Sequence, residues 1–424
     1  MIPKEYAPRP VEFIDTTLRD GLQSPLWHDS GKIYPTRQDK LDISEALLRY
    51  GVRFLEVFSP VANEREKDDL GFIIAQKNEI AKDLQQPSFI LAHVRCHPKD
   101  VAAVFEYSNK ISLPIDGFNF YMGTSGQSRE HNHGKTLEQI VGTARPLLED
   151  IRRNHPALLL RFSGEDAFRT SAGDLFAVYD PLADFVDRFG TPDTVGVATP
   201  QQVAERVALL RERYPKIALE GHFHNDRGLA LINATTAVRA GMQYINTSIL
   251  GLAERSGITS MTALLFNLYL DNPKLLEGFD YSLSYPLNVL AADILRTQVP
   301  ATEPISLTNR THTAGVHTGA VLKNAAVYEA HSLQKFGVTE QRLLLGPLSG
   351  QHIIGYYLRE MLYFEGVTDK ITINISDEFK NRTSEVNDGK SPQMLLESIA
   401  FQYGLIKSSR ASTANLEVLT NGGK

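Results

Sequence analysis

Cysteine is all but missing from this chain: Cys96 is the only one in 424 residues. That excludes an intrachain disulfide and any multi-cysteine metal site, so a metal here would need histidine and carboxylate ligands. Cys96 itself reads as a small buried side chain. No apolar run approaches the roughly 20 residues that a membrane-spanning helix requires. The start, Met1-Ile-Pro-Lys-Glu-Tyr6, lacks the apolar centre of a signal peptide, which makes a cytoplasmic location the expectation. Excess positive charge is also lacking, with a formal net charge of −6 and no extended basic patch, so a nucleic-acid or membrane partner is not expected. Hydrophobic residues make up 42% and charged residues 22%, as in an ordinary soluble enzyme-sized protein.

The most informative stretch that is present is Ile217-Ala-Leu-Glu-Gly-His-Phe-His-Asn-Asp226. A strand repeats every two residues, so His222 and His224 at its end point to one side, as metal ligands must. Far upstream a second apolar run, from Val11, ends in Arg19, Asp20, Gly21 and Gln23. Taken alone, Arg19-Asp20 reads as a surface ion pair beside a glycine turn. The pattern recurs, however. Strand-like segments fall near 11–18, 53–59, 88–95, 117–124, 157–163, 194–199, 217–224 and 244–250, each followed by a helix-length segment. Glu56, His97, Thr124, Arg161, Ser163, Glu165, Thr194 and Glu254 lie at or just past these strand ends. Eight βα units with polar strand ends predict an α/β fold, a (β/α)8 TIM barrel with its site at the C-terminal mouth. The segment Thr36–Arg49 has helical amphipathic spacing and Gly51 to stop it.

A bare barrel takes roughly 250 residues, so the chain divides by expectation into a catalytic barrel at 1–275 and a mainly helical C-terminal region at 276–424. In the latter, Tyr285–Gln298 reads as an amphipathic helix, and Thr311–Gly319 as a loop carrying His312 and His317. Gly346–His352 opens a further helix, either simply capped or presenting its amides to an anion. From Ile371 onward only Pro392–Tyr403 reads as helical, and the tail after Lys407 reads as disordered.

Several strings resemble a known family: Ile14-Asp-Thr-Thr-Leu-Arg-Asp-Gly-Leu-Gln-Ser24, Arg161-Phe-Ser-Gly-Glu-Asp166, Asp193-Thr-Val-Gly196, His222-Phe-His-Asn-Asp226, Gly251-Leu-Ala-Glu-Arg-Ser-Gly-Ile-Thr259 and His312-Thr-Ala-Gly-Val-His317. They resemble the metal-dependent acyl-CoA-condensing barrels, namely the homocitrate, 2-isopropylmalate and citramalate synthases, which are related to 3-hydroxy-3-methylglutaryl-CoA lyase. Arg95-Cys-His97, Gly123-Thr-Ser125 and His133-Gly-Lys135 make homocitrate synthase the nearest likeness.

The resemblance implies a Claisen-type condensation of acetyl-CoA with a 2-oxo acid, followed by thioester hydrolysis. Asp20, His222 and His224 would hold a divalent ion (Zn, Mn, Co or Mg), and Arg19, assisted by Gln23, would stabilise the developing alkoxide. Arg161 and Ser163 suit the distal carboxylate of a dicarboxylic 2-oxo acid, Thr194 the other end, and Glu56 and His97 the pocket wall. Glu165 would enolise acetyl-CoA with a histidine from the partner of a homodimer, His312 first and His317 second. 2-Oxoglutarate is the expected substrate, with oxaloacetate or a monocarboxylic 2-oxo acid as alternatives. Asn119 departs from the family, since the lysine-making homocitrate synthases carry there one of two acids that recognise lysine; the other, Glu220, is present. A lyase would carry a catalytic cysteine after strand eight, where Ile249–Ser256 has none. A catalytically dead barrel used for binding would have lost some of Arg19, Asp20, Glu165, His222 and His224, and all five are present.

Overall fold

A computed structural model describes residues 10–28, 34–57, 63–385 and 391–408. Eight parallel strands close into a barrel in sequence order: β1 (Glu12–Asp15), β2 (Phe54–Val57), β3 (Phe89–Arg95), β4 (Gly117–Gly123), β5 (Leu159–Glu165), β6 (Arg188–Asp193), β7 (Ala218–Phe223) and β8 (Tyr244–Thr247). The last strand pairs with the first, Ile14 opposite Asn246. Seven of the eight lie within a few residues of the sequence expectation.

The sixth does not. Thr194–Thr199 was expected as the strand because it is short, apolar and β-branched, whereas Arg-Phe-Gly-Thr-Pro-Asp at 188–193 reads as loop. In the barrel, Arg188–Asp193 pairs with both neighbours, and residues 194–199 turn. Gly196 there takes a φ of +62°, and the Asp193 carboxylate accepts the Val197 and Ala198 N–H groups at 2.9 and 3.1 Å. A turn stabilised in this way needs a side chain that periodicity does not weigh.

Alternate residues along each strand fill the barrel in layers. At the bottom Ile14, Phe54, Leu91, Leu159 and Tyr244 form an apolar cluster. Two residues further along the strands the filling becomes polar and mostly charged: Glu56 follows Phe54, Arg161 follows Leu159 and Asn119 follows Gly117, joined by Arg188 and Glu220, all at most 4% exposed. The helix Arg37–Tyr50 matches expectation closely. Thr36 and Asp39 form a reciprocal capping box, and Gly51 ends it at a φ of +109°, where a Cβ would lie 2.3 Å from the Gly278 carbonyl oxygen.

The first compact unit runs to Ile305, past the expected limit at 275. The cause is packing. The helix Ser284–Ile294, which ends before the expected Gln298, buries Leu287, Asn288, Ala291 and Ala292, with Asn288 bonded to Thr262 and to the Ile305 carbonyl. The second unit begins at Ser306. Its core gathers Ile354, Leu358, Phe364, Ile375, Phe379, Leu396 and Ile399. Residues 311–319 are not a plain loop: Thr311–His312 pairs with Arg342–Leu343, and a helix follows at Gly315–Val321. A helix at Asp369–Glu385 was also unforeseen, because its buried stripe of Thr372, Ile375, Ser376 and Phe379 has helical spacing but polar residues at two of four positions. Pro392–Gln402 is helical as expected. The helix after Gly350 spans only Gln351–Tyr356. The expected tail after Lys407 lies, beyond Ser408, outside the described residues.

Candidate active site

A cleft of about 250 Å³ opens at the C-terminal ends of the barrel strands. Its walls include Arg19, Asp20 and Gln23 after β1, Arg161, Ser163 and Glu165 on β5, Thr194 after β6, and His222 and His224 at the end of β7. Sequence reasoning named all nine. It missed His93, Tyr121, Pro192, Asn246 and Arg255, which also line the cleft.

Two expected wall residues lie elsewhere. His97 is exposed, and its Nδ1 accepts the Lys99 N–H at 3.1 Å as the cap of the helix Pro98–Ile111. The histidine that reaches the cleft is His93, four residues earlier and still on β3, whereas His97 lies past the strand end. Glu56 is fully buried beneath the cleft rather than in its wall. It receives Arg19 Nε at 2.8 Å, Arg161 Nη2 at 2.9 Å and the Asn119 amide. Burial alone would raise its carboxyl, but Arg19, His93 and Arg161 outweigh that and hold it well below its usual range.

Asp20, His222 and His224 converge. Asp20 Oδ2 lies 3.2 Å from His222 Nε2 and 3.9 Å from His224 Nε2, and the two Nε2 atoms are 3.2 Å apart. One ligand atom from each residue falls within 4.8 Å of the others. Among the described residues this is the one such group of three. His222 Nδ1 meets Asn246 Oδ1 at 3.2 Å. An amide oxygen can only accept, so Nδ1 carries the proton and Nε2 presents its lone pair inward. Burial, then the neighbouring His222, pushes His224 down to about 3, keeping it a neutral ligand near pH 7. Burial favours protonation of Asp20, but Arg19 and then the two histidines outweigh it and keep it an anion. Two imidazoles and one carboxylate, buried and facing one another, fit a divalent cation.

Around this triad, arginines and carboxylates interlock. Arg161 reaches Glu220 at 3.3 Å through Nε, and Arg188 reaches the same carboxylate at 3.1 Å while lying over Tyr244 at 4.7 Å. His93 stacks on Tyr121 at 4.3 Å, and burial followed by Arg19 lowers it to about 4. Glu165 carries no ion-pair partner in the described network, and burial together with Asp166 raises its carboxyl above the ordinary value. A raised carboxylate facing a cleft is suited to general base work. Thr194 Oγ1 accepts the Asp166 N–H at 2.9 Å, tying the ends of β5 and β6.

His312 and His317 belong to the second unit. His312 is partly buried, His317 is exposed, and their rings are 6.4 Å apart. Tyr328, which the sequence did not single out, stacks on His317 at 3.9 Å.

The sequence and the architecture match known proteins. Residues 10–283 match the HMGL-like family and residues 307–386 the homocitrate synthase post-HMGL domain-like family. The chain belongs to the HMGL-like family. Within it, the chain is 33% identical over 362 residues to the mitochondrial homocitrate synthase of Schizosaccharomyces pombe, covering 82% of this chain and 81% of that one. It is 30% identical to the cytosolic homocitrate synthase isozyme of Saccharomyces cerevisiae, covering 99% of this chain and 92% of that one. These relatives make it an acyltransferase-type enzyme. A solved hydroxymethylglutaryl-CoA lyase from Pseudomonas aeruginosa shares the fold, with a TM-score of 0.52 at 18% identity over 69% of this chain and 95% of that one.

Proposed function

We propose that this enzyme condenses acetyl-CoA with a 2-oxo dicarboxylic acid, 2-oxoglutarate before oxaloacetate, and releases CoA by hydrolysis of the thioester. The observation that carries the reading is one cleft holding both the Asp20–His222–His224 donor set and the guanidinium groups of Arg19 and Arg161. A divalent cation held by the three donors would polarise the ketone and chelate its neighbouring carboxylate. Relatives named homocitrate synthase favour 2-oxoglutarate.

The chain's own groups account for the remaining steps. Glu165 takes a proton from the acetyl methyl group, and the carbon so activated forms a bond to the ketone carbon. Negative charge then grows on the ketone oxygen. Arg19, held by Glu56 and Asp20 and only 13% exposed, meets it with a fixed cation. Arg161 receives the distal carboxylate, with Ser163 beside it, and Thr194 the carboxylate next to the ketone. Water finally cleaves the thioester to a carboxylate and free thiol.

His312 or His317 supplies the partner proton relay across a homodimer. Exposed apolar side chains in the same unit, Val316 at 77% and Leu348 at 73%, are of the kind a second surface would cover. The test of the whole reading is thiol release from acetyl-CoA with a panel of 2-oxo acids. Release with 2-oxoglutarate or oxaloacetate is expected, and release with none overturns it.

A further inference from the structure

We propose that Arg255, in the segment between β8 and the helix Met261–Asp271, is a positioning residue that locks the metal triad and the substrate-facing end of β6 into one geometry. The inference rests on the function proposed above. The triad draws on strands that are not all neighbours: Asp20 follows β1 and the histidines end β7, with β8 between them. Something must hold these ends in register, and residues 248–260 touch each of them.

The Glu254 N–H points at Asp20 Oδ1 at 3.4 Å, and Ile258 forms an isolated bridge with His224. Asn225 donates its N–H to the Gly257 carbonyl at 2.9 Å. Arg255 completes the set. Its Nε and Nη2 grip the Asp226 carboxylate at 2.7 and 3.0 Å, two residues past His224, while Nη2 also donates to the Thr194 carbonyl at 2.6 Å. One planar guanidinium thus joins β6 to β7, a geometry that a lysine ammonium cannot copy.

Backbone strain marks the segment as over-determined. Leu250 and Arg255, both with side chains, take φ of +55° and +53°, a strained region that such residues keep only where the surroundings enforce it. Gly257 leaves no room for a side chain, since a Cβ there would lie 2.2 Å from the Gly251 carbonyl oxygen. Gly196 makes space for Asp226 in the same way, with a Cβ placed 2.8 Å from Asp226 Oδ2.

The experiment is calorimetric titration of the metal-stripped full-length protein with Mn²⁺ and, separately, Zn²⁺, for wild type, Arg255→Gln and Arg255→Lys, with Tm recorded for each. Arg255→Gln is expected to weaken metal binding at least tenfold, and to raise KM for the 2-oxo acid more than it lowers kcat. Arg255→Lys should fall between. Should Arg255→Gln not fold, Asp226→Asn removes the same clamp from the other side and should weaken binding similarly. Metal affinity and KM within twofold of wild type, in a folded variant of either residue, would overturn the proposal. A wild-type protein that takes up no divalent ion at all would remove the proposed metal site and the brace with it, so the two failures are distinguishable.

Discussion

The barrel mouth and the histidine-bearing segment of the C-terminal unit differ in what they leave exposed. In the barrel, Glu56, Asn119, Arg161, Arg188 and Glu220 are all but inaccessible, and each is bound to at least one of the others. In the second unit, His317 is exposed against Tyr328, which is itself 40% exposed, and large apolar side chains such as Val316 and Leu348 face outward. Burying a charge costs several kcal/mol per ion, which the mutual pairing of these groups offsets. Exposed apolar groups instead indicate a surface that is completed from outside the unit. On the function proposed above, the barrel supplies the metal and substrate groups, and the histidine-bearing unit would serve the site of a partner.

The largest effect should come from the triad. Changing His222 and His224 together to Ala is expected to abolish metal binding and lower turnover by at least a thousandfold, checked by elemental analysis beside the thiol assay. Stoichiometric metal with full turnover would place the site elsewhere. Next, Glu165→Ala and His312→Ala should each lose on the order of a hundredfold or more, the usual weight of general acid–base groups. Mixed into heterodimers, the two inactive chains should regain part of the activity. Verified heterodimers without recovery would make the second unit as self-contained as the barrel, and repeating the cycle with His317→Ala decides which histidine is used.

Arg161 gives a smaller effect. Because Glu56 and Glu220 already share its charge, an alkyl tail leaves it only partly stranded. Preference for 2-oxoglutarate over 2-oxoisovalerate is then about tenfold to a hundredfold in kcat/KM, at about 1.4 kcal/mol per decade. Arg161→Ala should erase it, seen in parallel kinetics on both acids. In contrast, Phe379→Ala in the second unit should cost about 3–5 kcal/mol of that unit's stability through cavity formation. Metal titration of the barrel should be unchanged while the unit's melting transition moves down. The smallest effect is on pH. The folded environment raises Glu165 above its ordinary 4.5, and a base works only when deprotonated, so the ascending limb of kcat/KM should lie above that value. Glu165→Gln should abolish the limb together with the rate.

How much of this was legible in the sequence follows the physics of each element. The barrel strands are short apolar runs, and seven could be read; β6 could not, since Arg188, Gly190 and Pro192 face a charged interior that rewards none of the usual strand residues. His222 and His224 were legible because a two-residue spacing fixes their direction. His97 was named for its place just past a strand end, but β3 stops at Arg95 and His97 caps the next helix, so the strand residue His93 reaches the cleft instead. Tyr328, Asn246 and Arg255 act through contacts between distant segments, which leave no local pattern.

The most direct test of the central claim is CoA thiol release by the metal-loaded enzyme, measured with 2-oxoglutarate, oxaloacetate and 2-oxoisovalerate and again after chelation. The account predicts metal-dependent release, fastest with a dicarboxylic acid. Release that survives complete metal removal, or that is equally fast with 2-oxoisovalerate, would contradict it.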